Sequence, residues 1–255
     1  MYGKYSEIYS RWCDYYDFDS VEFKTISKYV NVNDKNIIDI GCGTGRFLFR
    51  FLPYVKSAIA IDNDECSIAV LNDIISNKFN HYASKITTIC SDIENFQTSP
   101  KPIDIAVFSW SLYSLNKVQM ERAIYNVFNM LNAGGVLIIL QPIGGEFETI
   151  MRLFFKEHED RDEYKECIKN MNEIIPIFFD CIAVDKIVSN FTFPDLEEFC
   201  EILKMFAVTE GGCETNKLEH INLNTLNLSM SCYKREYGFS LEDEVSLFIY
   251  KKNKT

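Results

Sequence analysis

A cluster of three glycines directly after a short apolar segment constrains this chain more than any other feature. Residues 37–40 read Ile-Ile-Asp-Ile, which is typical of a buried strand, and residues 41–45 read Gly-Cys-Gly-Thr-Gly. Glycine tolerates positive φ and lets the backbone approach a ligand closely. Residues 46–52 have a helical pattern, and the unpaired N–H groups at a helix start attract electron-rich groups. The segment therefore predicts a strand, a ligand-binding turn and a helix.

Short apolar segments and helical patterns alternate through residue 140. Each apolar segment is continuous, which is typical of strands in a parallel sheet that helices cover on both faces. Right-handed connections between such strands give a doubly wound α/β sandwich. The predicted elements are, in chain order, strand 37–40, helix 46–52, strand 57–61, helix 67–78, strand 86–90, strand 103–108, helix 118–131 and strand 136–140.

The N-terminal segment, residues 1–30, is rich in aromatic side chains. Tyr9, Trp12 and Tyr16 follow helical spacing and form one stripe. Such a stripe either packs on the body of the protein or covers a ligand as a lid. We keep both interpretations open.

The C-terminal half departs from the regular alternation. Residues 144–190 contain a charged helical stretch and predict an insertion at the sheet edge where ligands bind. Residues 191–255 contain two strand-like segments, 223–233 and 245–250, which predict an antiparallel hairpin that closes the sheet. We expect a single domain over 1–255, built on a core at 36–140.

Charge and cysteine usage exclude several partners. The net charge is −11, from 26 Lys and Arg against 37 Asp and Glu, so the chain repels nucleic acid and anionic lipid surfaces. No apolar run is long enough to span a membrane, and the N-terminus lacks the apolar region of a secretory signal. Nine cysteines without a C-x-x-C pair predict free thiols in a reducing, cytoplasmic compartment and no metal site.

Two carboxylates follow predicted strands at the edge where the glycine turn lies. Asp62 ends the second strand, where it can accept hydrogen bonds from both hydroxyls of a ribose, or only form a local turn with Asn63. Asp92 follows the third strand, where its carboxylate can accept from an adenine amino group while the next backbone N–H, of Ile93, donates to the ring. A nicotinamide dinucleotide fits less well, because Arg46 stands where G-x-G-x-x-G requires its third glycine.

The ordered series Ile-Ile-Asp-Ile-Gly-Cys-Gly-Thr-Gly, Ala-Ile-Asp-Asn-Asp, Cys-Ser-Asp-Ile, Asp-Ile-Ala-Val-Phe-Ser and Leu-Asn-Ala-Gly-Gly-Val resembles the class I S-adenosylmethionine-dependent methyltransferases. The resemblance covers about residues 36–140. It implies a seven-stranded sheet whose last strand is antiparallel, S-adenosylmethionine as cofactor and S-adenosylhomocysteine as product.

The resemblance also implies roles for individual residues. The glycine turn would line the methionine part of the cofactor, the two carboxylates would hold its ribose and adenine, the end of the fourth strand would lie near the sulfonium, and the N-terminal stripe would form the lid. The cofactor-binding candidates are Asp39, Gly41, Cys42, Gly43, Thr44, Gly45, Asp62, Asn63, Asp92, Ile93, Phe108, Ser109, Tyr9, Trp12 and Tyr16.

The methyl acceptor leaves a weaker signature. Phe108-Ser109-Trp110-Ser111 replaces the Asn/Asp-Pro-Pro-Tyr motif of adenine and glutamine methyltransferases, and no side chain stands out as a catalytic base. Trp110, Tyr113 and Glu146 are substrate-binding candidates, which suits a small aromatic or cationic acceptor.

We expect methyl transfer to an O or N nucleophile of a small molecule, by in-line displacement. A protein methyltransferase and a non-catalytic S-adenosylmethionine-binding protein are alternatives, and a monomer and a homodimer are equally open.

Overall fold

The computed structural model describes residues 3–96, 102–154, 162–209 and 218–253. Its strands are, in chain order, β1 Asn36–Ile40, β2 Ser57–Asp62, β3 Ile86–Cys90, β4 Ile103–Ser109, β5 Leu131–Gly145, β6 Phe179–Phe193, β7 Lys234–Arg235 and β8 Gly238–Lys252. Its helices are α1 Ser6–Tyr15, α2 Val21–Ile26, α3 Leu48–Phe51, α4 Glu65–Lys78, α5 Lys117–Met130, α6 Glu146–Phe154, α7 Asp162–Ile174, α8 Leu196–Thr209 and α9 Leu223–Met230.

The described strands form one sheet in the order β3-β2-β1-β4-β5-β8-β6, and the two-residue β7 pairs with β8. Strands β1 to β5 run parallel, whereas β8 is antiparallel to both of its neighbours, β5 and β6. The predicted seven-stranded, mostly parallel α/β sheet is thus confirmed, with β7 as a short addition. The strand order reverses direction between β1 and β4, which is where sheets of this kind bind ligands.

Helices cover both faces of the sheet because neighbouring residues of a buried strand point to opposite sides. Ile37 packs in the core with α2 and α3, whereas Ile38 packs in the core with α5 and α7. A third core joins α1, α6, α8 and α9 at the edge where the parallel strands end. None of the helices in the described residues has both the length and the apolar character needed to cross a membrane.

Two of these helices begin at capping side chains that are encoded in the local sequence. Asn116 caps α5 in a capping box with Gln119, and Asp64 caps α4 by accepting from the N–H groups of Cys66 and Ser67. The helix expected over 46–52 is shorter, because the turn of the glycine segment continues up to Phe47 before α3 begins.

The closing hairpin differs from the prediction. The expected segment 245–250 lies in β8, but its partner is β6 and not 223–233. Residues 144–190 contain α6 and α7 as expected of an insertion, yet their final part is strand β6 of the sheet. Strand β6 lies at the sheet edge and is exposed at many positions, so it lacks the continuous apolar run by which the central strands were identified.

The prediction of a strand near 223–233 is wrong, because most of this segment forms α9. Asn222 starts the helix with a capping box to Thr225. Leu226 and Met230, four residues apart, are buried, whereas Leu228 is exposed. The alternating leucines resemble a strand in the sequence, but only the i, i+4 pair contacts the core.

Removal of this cap tests the helix. We expect Asn222→Ala to lower the free energy of unfolding by about 0.5–2 kcal/mol, because two N-terminal N–H groups lose their acceptor. Asn227→Ala, within the same helix and exposed, is the matched control and should have little effect. Denaturant unfolding measures both variants, and equal effects would contradict the helix boundary.

Candidate active site

A cavity of about 350 Å³ lies at the carboxyl ends of β1, β2 and β4, under side chains from α1, α6, α7 and α8. Its size is within the usual range for small-molecule sites. Twelve of the predicted site residues line it: Tyr9, Trp12, Gly41, Gly43, Asp62, Asn63, Asp92, Ile93, Phe108, Ser109, Trp110 and Tyr113.

The glycine turn forms one wall of the cavity. The N–H groups of Gly41 and Cys42 donate to the carbonyl oxygen of Ile61, at 2.8 and 3.1 Å. Gly41 has a φ of +68°, and a Cβ atom there would collide with the side chain of Ser111. The turn is therefore held against β2 in a conformation that requires glycine.

Asp62 connects this turn to the neighbouring strand. Its Oδ2 accepts from the N–H of Gly43 at 2.8 Å, and its Oδ1 accepts from the N–H of Asp64 at 2.9 Å. The second bond is the local turn that the sequence left open as an alternative. The same carboxylate also lines the cavity, and each oxygen retains a lone pair for a further donor.

Asp92 is fixed in a similar way. The Asn63 side-chain amide donates to its Oδ1 at 2.8 Å, and Asn95 donates to Oδ2 at 3.5 Å. The ends of β2 and β3 thus present two oriented carboxylates, Asp62 and Asp92, to one cavity.

Aromatic rings form the opposite wall. Trp12 stacks on Tyr9 at 5.3 Å between ring centroids and contacts Trp110 at 5.6 Å and Phe206 edge-on at 5.4 Å. The N-terminal stripe therefore packs on the body of the protein through Trp12 and α8. Tyr9 and Trp12 also line the cavity, and their role as a lid over a ligand stays a prediction.

Six predicted site residues do not line the cavity: Asp39, Cys42, Thr44, Gly45, Tyr16 and Glu146. Tyr16 is only 1% exposed and lies behind Trp12, where its hydroxyl donates to Glu22. Glu146, at the start of α6, instead accepts the N–H of Glu242. Glu148, two residues further along the same helix and therefore on a different side of it, does line the cavity.

Arg46, noted in the sequence only as a departure from the dinucleotide pattern, is the buried cation of the site. Its guanidinium donates to Glu22 at 2.7 Å and to the Ser109 hydroxyl. It also lies over the rings of Trp110 and Tyr16, at 4.7 and 5.0 Å. Burial by itself lowers the pKa of Arg46, but the charge of Glu22 raises it above its ordinary value.

Carboxylates dominate the charge of the cavity. Among the described residues, its lining includes no Lys, Arg or His side chain. It includes six acids: Asp62, Asp64, Asp92, Glu94, Glu148 and Asp243. Four of these acids were not predicted as site residues, since single acids in helices, turns and late strands carry no pattern that marks them: Asp64, Glu94, Glu148 and Asp243.

Asp39 lies behind the turn, 2% exposed, and its Oδ2 has no hydrogen-bond partner among the described residues. Burial raises its pKa to about 7, although Arg46 acts in the opposite direction. Burial likewise raises the pKa of Asp243 to about 7 and that of Asp17 to about 6.

These raised values predict a stability that falls as the pH rises. Between about pH 4 and pH 7 the folded state retains protons that the unfolded state has released, so each such group lowers the free energy of unfolding as the pH increases through that window. Asp39→Asn should reduce the difference between unfolding at pH 5.5 and at pH 8. Asp73→Asn changes the net charge equally at an exposed position, and an identical effect of both variants would contradict the assignment.

The Arg46–Glu22 pair predicts a second stability effect. Arg46→Met leaves the fully buried Glu22 without its counter-charge, and we expect a loss of about 3–5 kcal/mol in the free energy of unfolding. The double variant Glu22→Gln with Arg46→Met should recover part of that loss, since no unpaired charge remains. Thermal and denaturant unfolding measure both, and an equal loss in the two variants would show that the pair's charge is unimportant.

Comparisons with known proteins agree with this geometry. Residues 37–135 match the family model described as a methyltransferase domain. The Saccharomyces cerevisiae protein named Probable S-adenosylmethionine-dependent methyltransferase CRG1 is 24% identical over 141 residues, which cover 54% of this chain and 47% of that protein. The Staphylococcus epidermidis carboxy-S-adenosyl-L-methionine synthase is 26% identical over 167 residues, 60% of this chain and 70% of the synthase. The chain thus spans about half the length of the yeast relative.

Solved structures share the fold. N-methyltransferase NodS from Bradyrhizobium japonicum, in complex with S-adenosyl-L-homocysteine, has a TM-score of 0.51 at 17% identity, covering 91% of this chain and 87% of NodS. The [4+2]-cyclase SpnF has a TM-score of 0.56 at 14% identity, covering 93% and 81%. The matched domain, the strand order and the glycine turn together support the class I S-adenosylmethionine-dependent methyltransferase superfamily for this chain.

Proposed function

We propose that this protein transfers the methyl group of S-adenosylmethionine to a nitrogen or oxygen atom of a small molecule. The observation that carries the proposal is the continuity of one cavity, from the glycine turn and Asp62 past Ser109 to an aromatic chamber at Trp110 and Phe147. Such a cavity offers adjacent places for a cofactor and an acceptor.

The residues present fit the cofactor. The Gly41 and Gly43 backbone can approach the methionine part, Asp62 offers two carboxylate oxygens for ribose hydroxyls, and Asp92 with Ile93 is available to adenine. The acidic lining suits a ligand that carries a sulfonium and an ammonium group, since opposite charge favours binding in a partly buried site.

When bound, S-adenosylmethionine supplies an electrophilic methyl group on its sulfonium sulfur. The chain itself positions the acceptor and excludes water from it. Trp12, Trp110 and Phe147 exclude water from the chamber, which holds an acceptor in line and keeps its nucleophilic atom desolvated. A strong base is needed only for an acceptor that arrives protonated.

Coverage of the cavity by four helices favours a small acceptor over a protein. Tyr9 and Trp12 of α1, Phe147 of α6, Tyr164 of α7 and Phe206 of α8 all contribute to its lining. The side chain of a substrate protein, together with its backbone, would need an open groove at this place. We therefore rank the protein methyltransferase second.

The relatives named carboxy-S-adenosyl-L-methionine synthase suggest another candidate activity. A carboxylated product requires a site that holds a carboxylate. The acidic lining, in which the described residues include no cationic side chain, disfavours an anionic reactant. Methyl transfer is the better match.

Transfer of labelled methyl groups tests the proposal. The protein is incubated with methyl-tritiated S-adenosylmethionine and either the small-molecule or the protein fraction of a cell extract. We expect label in the small-molecule fraction together with formation of S-adenosylhomocysteine. Label in proteins alone would favour the second candidate, and binding without turnover in either fraction would favour a non-catalytic role.

Removal of the Asp62 carboxylate tests the cofactor site. We expect Asp62→Ala to weaken S-adenosylhomocysteine binding about 10- to 100-fold, because charge-assisted hydrogen bonds contribute about 1.5–3 kcal/mol. Calorimetric titration measures the affinity. Asp73→Ala, on the exposed face of α4, removes the same charge and should bind normally, whereas unchanged binding by Asp62→Ala would refute its role.

A further inference from the structure

Asp243 is a buried carboxylate that the sequence did not single out. It lies in β8, paired with Gly145 of β5 and Ser189 of β6, and it lines the cavity while being only 7% exposed. Its Oδ1 has no hydrogen-bond partner among the described residues. A buried carboxylate oxygen without a donor costs free energy, so a ligand that supplies a donor would relieve a penalty that is already present.

Asp243 lies on a different strand from the residues that we assign to the cofactor. It belongs to the late strand β8, whereas the glycine turn, Asp62 and Asp92 follow β1, β2 and β3. It pairs with Gly145 and interacts with the backbone N–H of Phe147, so it lies beside the chamber that we assign to the acceptor.

The backbone fits closely around this carboxylate. A Cβ atom on Gly145, whose φ is +150°, would lie 2.5 Å from Oδ1. The backbone N–H of Phe147 interacts favourably with the ionised carboxylate. The close backbone of Gly145 and the N–H of Phe147 together fix the carboxylate at the junction of β5 and α6.

The charged groups that act most strongly on Asp243 are also negative. They are Glu146 and Glu148 of α6 and Glu22 of α2. The phenol of Tyr16, from the end of the N-terminal stripe, also feels its charge. The guanidinium of Arg46 is already bound to Glu22. Together with burial, which is the largest cause, these carboxylates raise the pKa of Asp243 to about 7.

We propose that Asp243 binds the ammonium group of an amine acceptor and accepts its proton. The inference rests on the proposed methyl transfer and narrows the acceptor to an amine. An ammonium supplies both the missing hydrogen-bond donor and the missing positive charge, and the rings of Trp12, Trp110 and Phe147 accommodate the cation and its apolar substituent.

Proton transfer to Asp243 precedes methyl transfer. One N–H bond of the protonated amine breaks and its proton passes to a carboxylate oxygen of Asp243, which leaves a neutral amine with a free electron pair. That pair forms the new N–CH3 bond while the methyl–sulfur bond breaks and its electrons remain on sulfur. The carboxyl group of Asp243 then releases its proton to solvent. A carboxyl group with a pKa near 7 is suited to both transfers.

Binding of simple probes tests the inference without knowledge of the natural acceptor. Propylamine, benzylamine and phenethylamine are compared with 1-propanol, benzyl alcohol and 2-phenylethanol, in the presence of saturating S-adenosylhomocysteine. The fluorescence of Trp12 and Trp110, the two tryptophans of the chain and both in the cavity wall, reports binding. We expect at least one amine to bind 10-fold more tightly than its alcohol at pH 8.

The Asp243→Asn variant should reduce that preference to less than about 2-fold while S-adenosylhomocysteine binding stays normal. Glu244→Gln is the matched control, because Glu244 is the next residue of the same strand but pairs with Lys186 at a side chain 42% exposed. A preference lost equally in both variants, or retained by Asp243→Asn, would overturn the inference.

A pH titration of the unmodified protein keeps the inference testable if Asp243→Asn does not fold. Alkylamines stay protonated below about pH 9, near the range of lysine, so any change between pH 8 and pH 6 belongs to the protein. We expect the amine to bind about 5- to 10-fold more weakly at pH 6, where Asp243 is mostly protonated, while the alcohol is unaffected. Equal binding at both pH values, or no preference for any amine, would refute the role of Asp243.

The two proposals fail separately in this design. Loss of S-adenosylhomocysteine binding in the unmodified protein would remove the proposed function itself. Normal cofactor binding without a preference for amines would leave methyl transfer in place and remove only the role of Asp243.

Discussion

The site depends most on the interactions of the Arg46 guanidinium. It joins Glu22 and Tyr16 of the N-terminal segment to Ser109 at the end of β4 and to Trp110 beside it. Its charge also opposes the effect of burial, which raises the pKa values of the carboxyl groups of Asp39 and Asp17. A buried ion pair is costly to desolvate and is tolerated where its geometry is well satisfied. Here it fixes the N-terminal segment against the sheet at the cavity.

The positive charge of Arg46 is kept apart from the negative charges of the cavity lining, although both lie in one small region. Arg46 balances the carboxylates that lie behind the glycine turn, and it is enclosed by the rings of Tyr16 and Trp110. The acids that line the cavity have no cationic side chain beside them in the described lining. The cavity therefore keeps a net negative charge that a cationic ligand can satisfy, which is consistent both with a sulfonium cofactor and with an amine acceptor.

The proposed cofactor side and the proposed acceptor side come from different parts of the chain. The first half supplies the glycine turn, Asp62 and Asp92 from the ends of consecutive strands, as the resemblance to class I methyltransferases implies. The acceptor chamber combines α1 at the beginning of the chain with α6, α8 and β8 near its end. Because these elements, apart from β8, lie outside the sheet, a sheet of this kind can carry different acceptor sites.

The amino-acid sequence by itself determined the parallel core and the part of the cavity that we assign to the cofactor. Continuous apolar strands, the glycine turn and the carboxylates that follow β2 and β3 are local patterns, and the topology of a parallel sheet brings their ends together. Eight of the predicted residues line one cavity for this reason: Gly41, Gly43, Asp62, Asn63, Asp92, Ile93, Phe108 and Ser109. The N-terminal stripe was recognised too, since its spacing depends only on the helix itself.

Only the tertiary structure decided the rest, because it depends on contacts between distant segments. Edge strand β6 is half exposed and lacks a continuous apolar run, and α9 has leucines that alternate as in a strand although just Leu226 and Met230 are buried. Glu148 lines the cavity and Glu146 does not, because the two side chains leave α6 on different sides of the helix. Asp243 and the pair of Arg46 with Glu22 have no local signature, since burial and the proximity of charges arise only when the chain is folded.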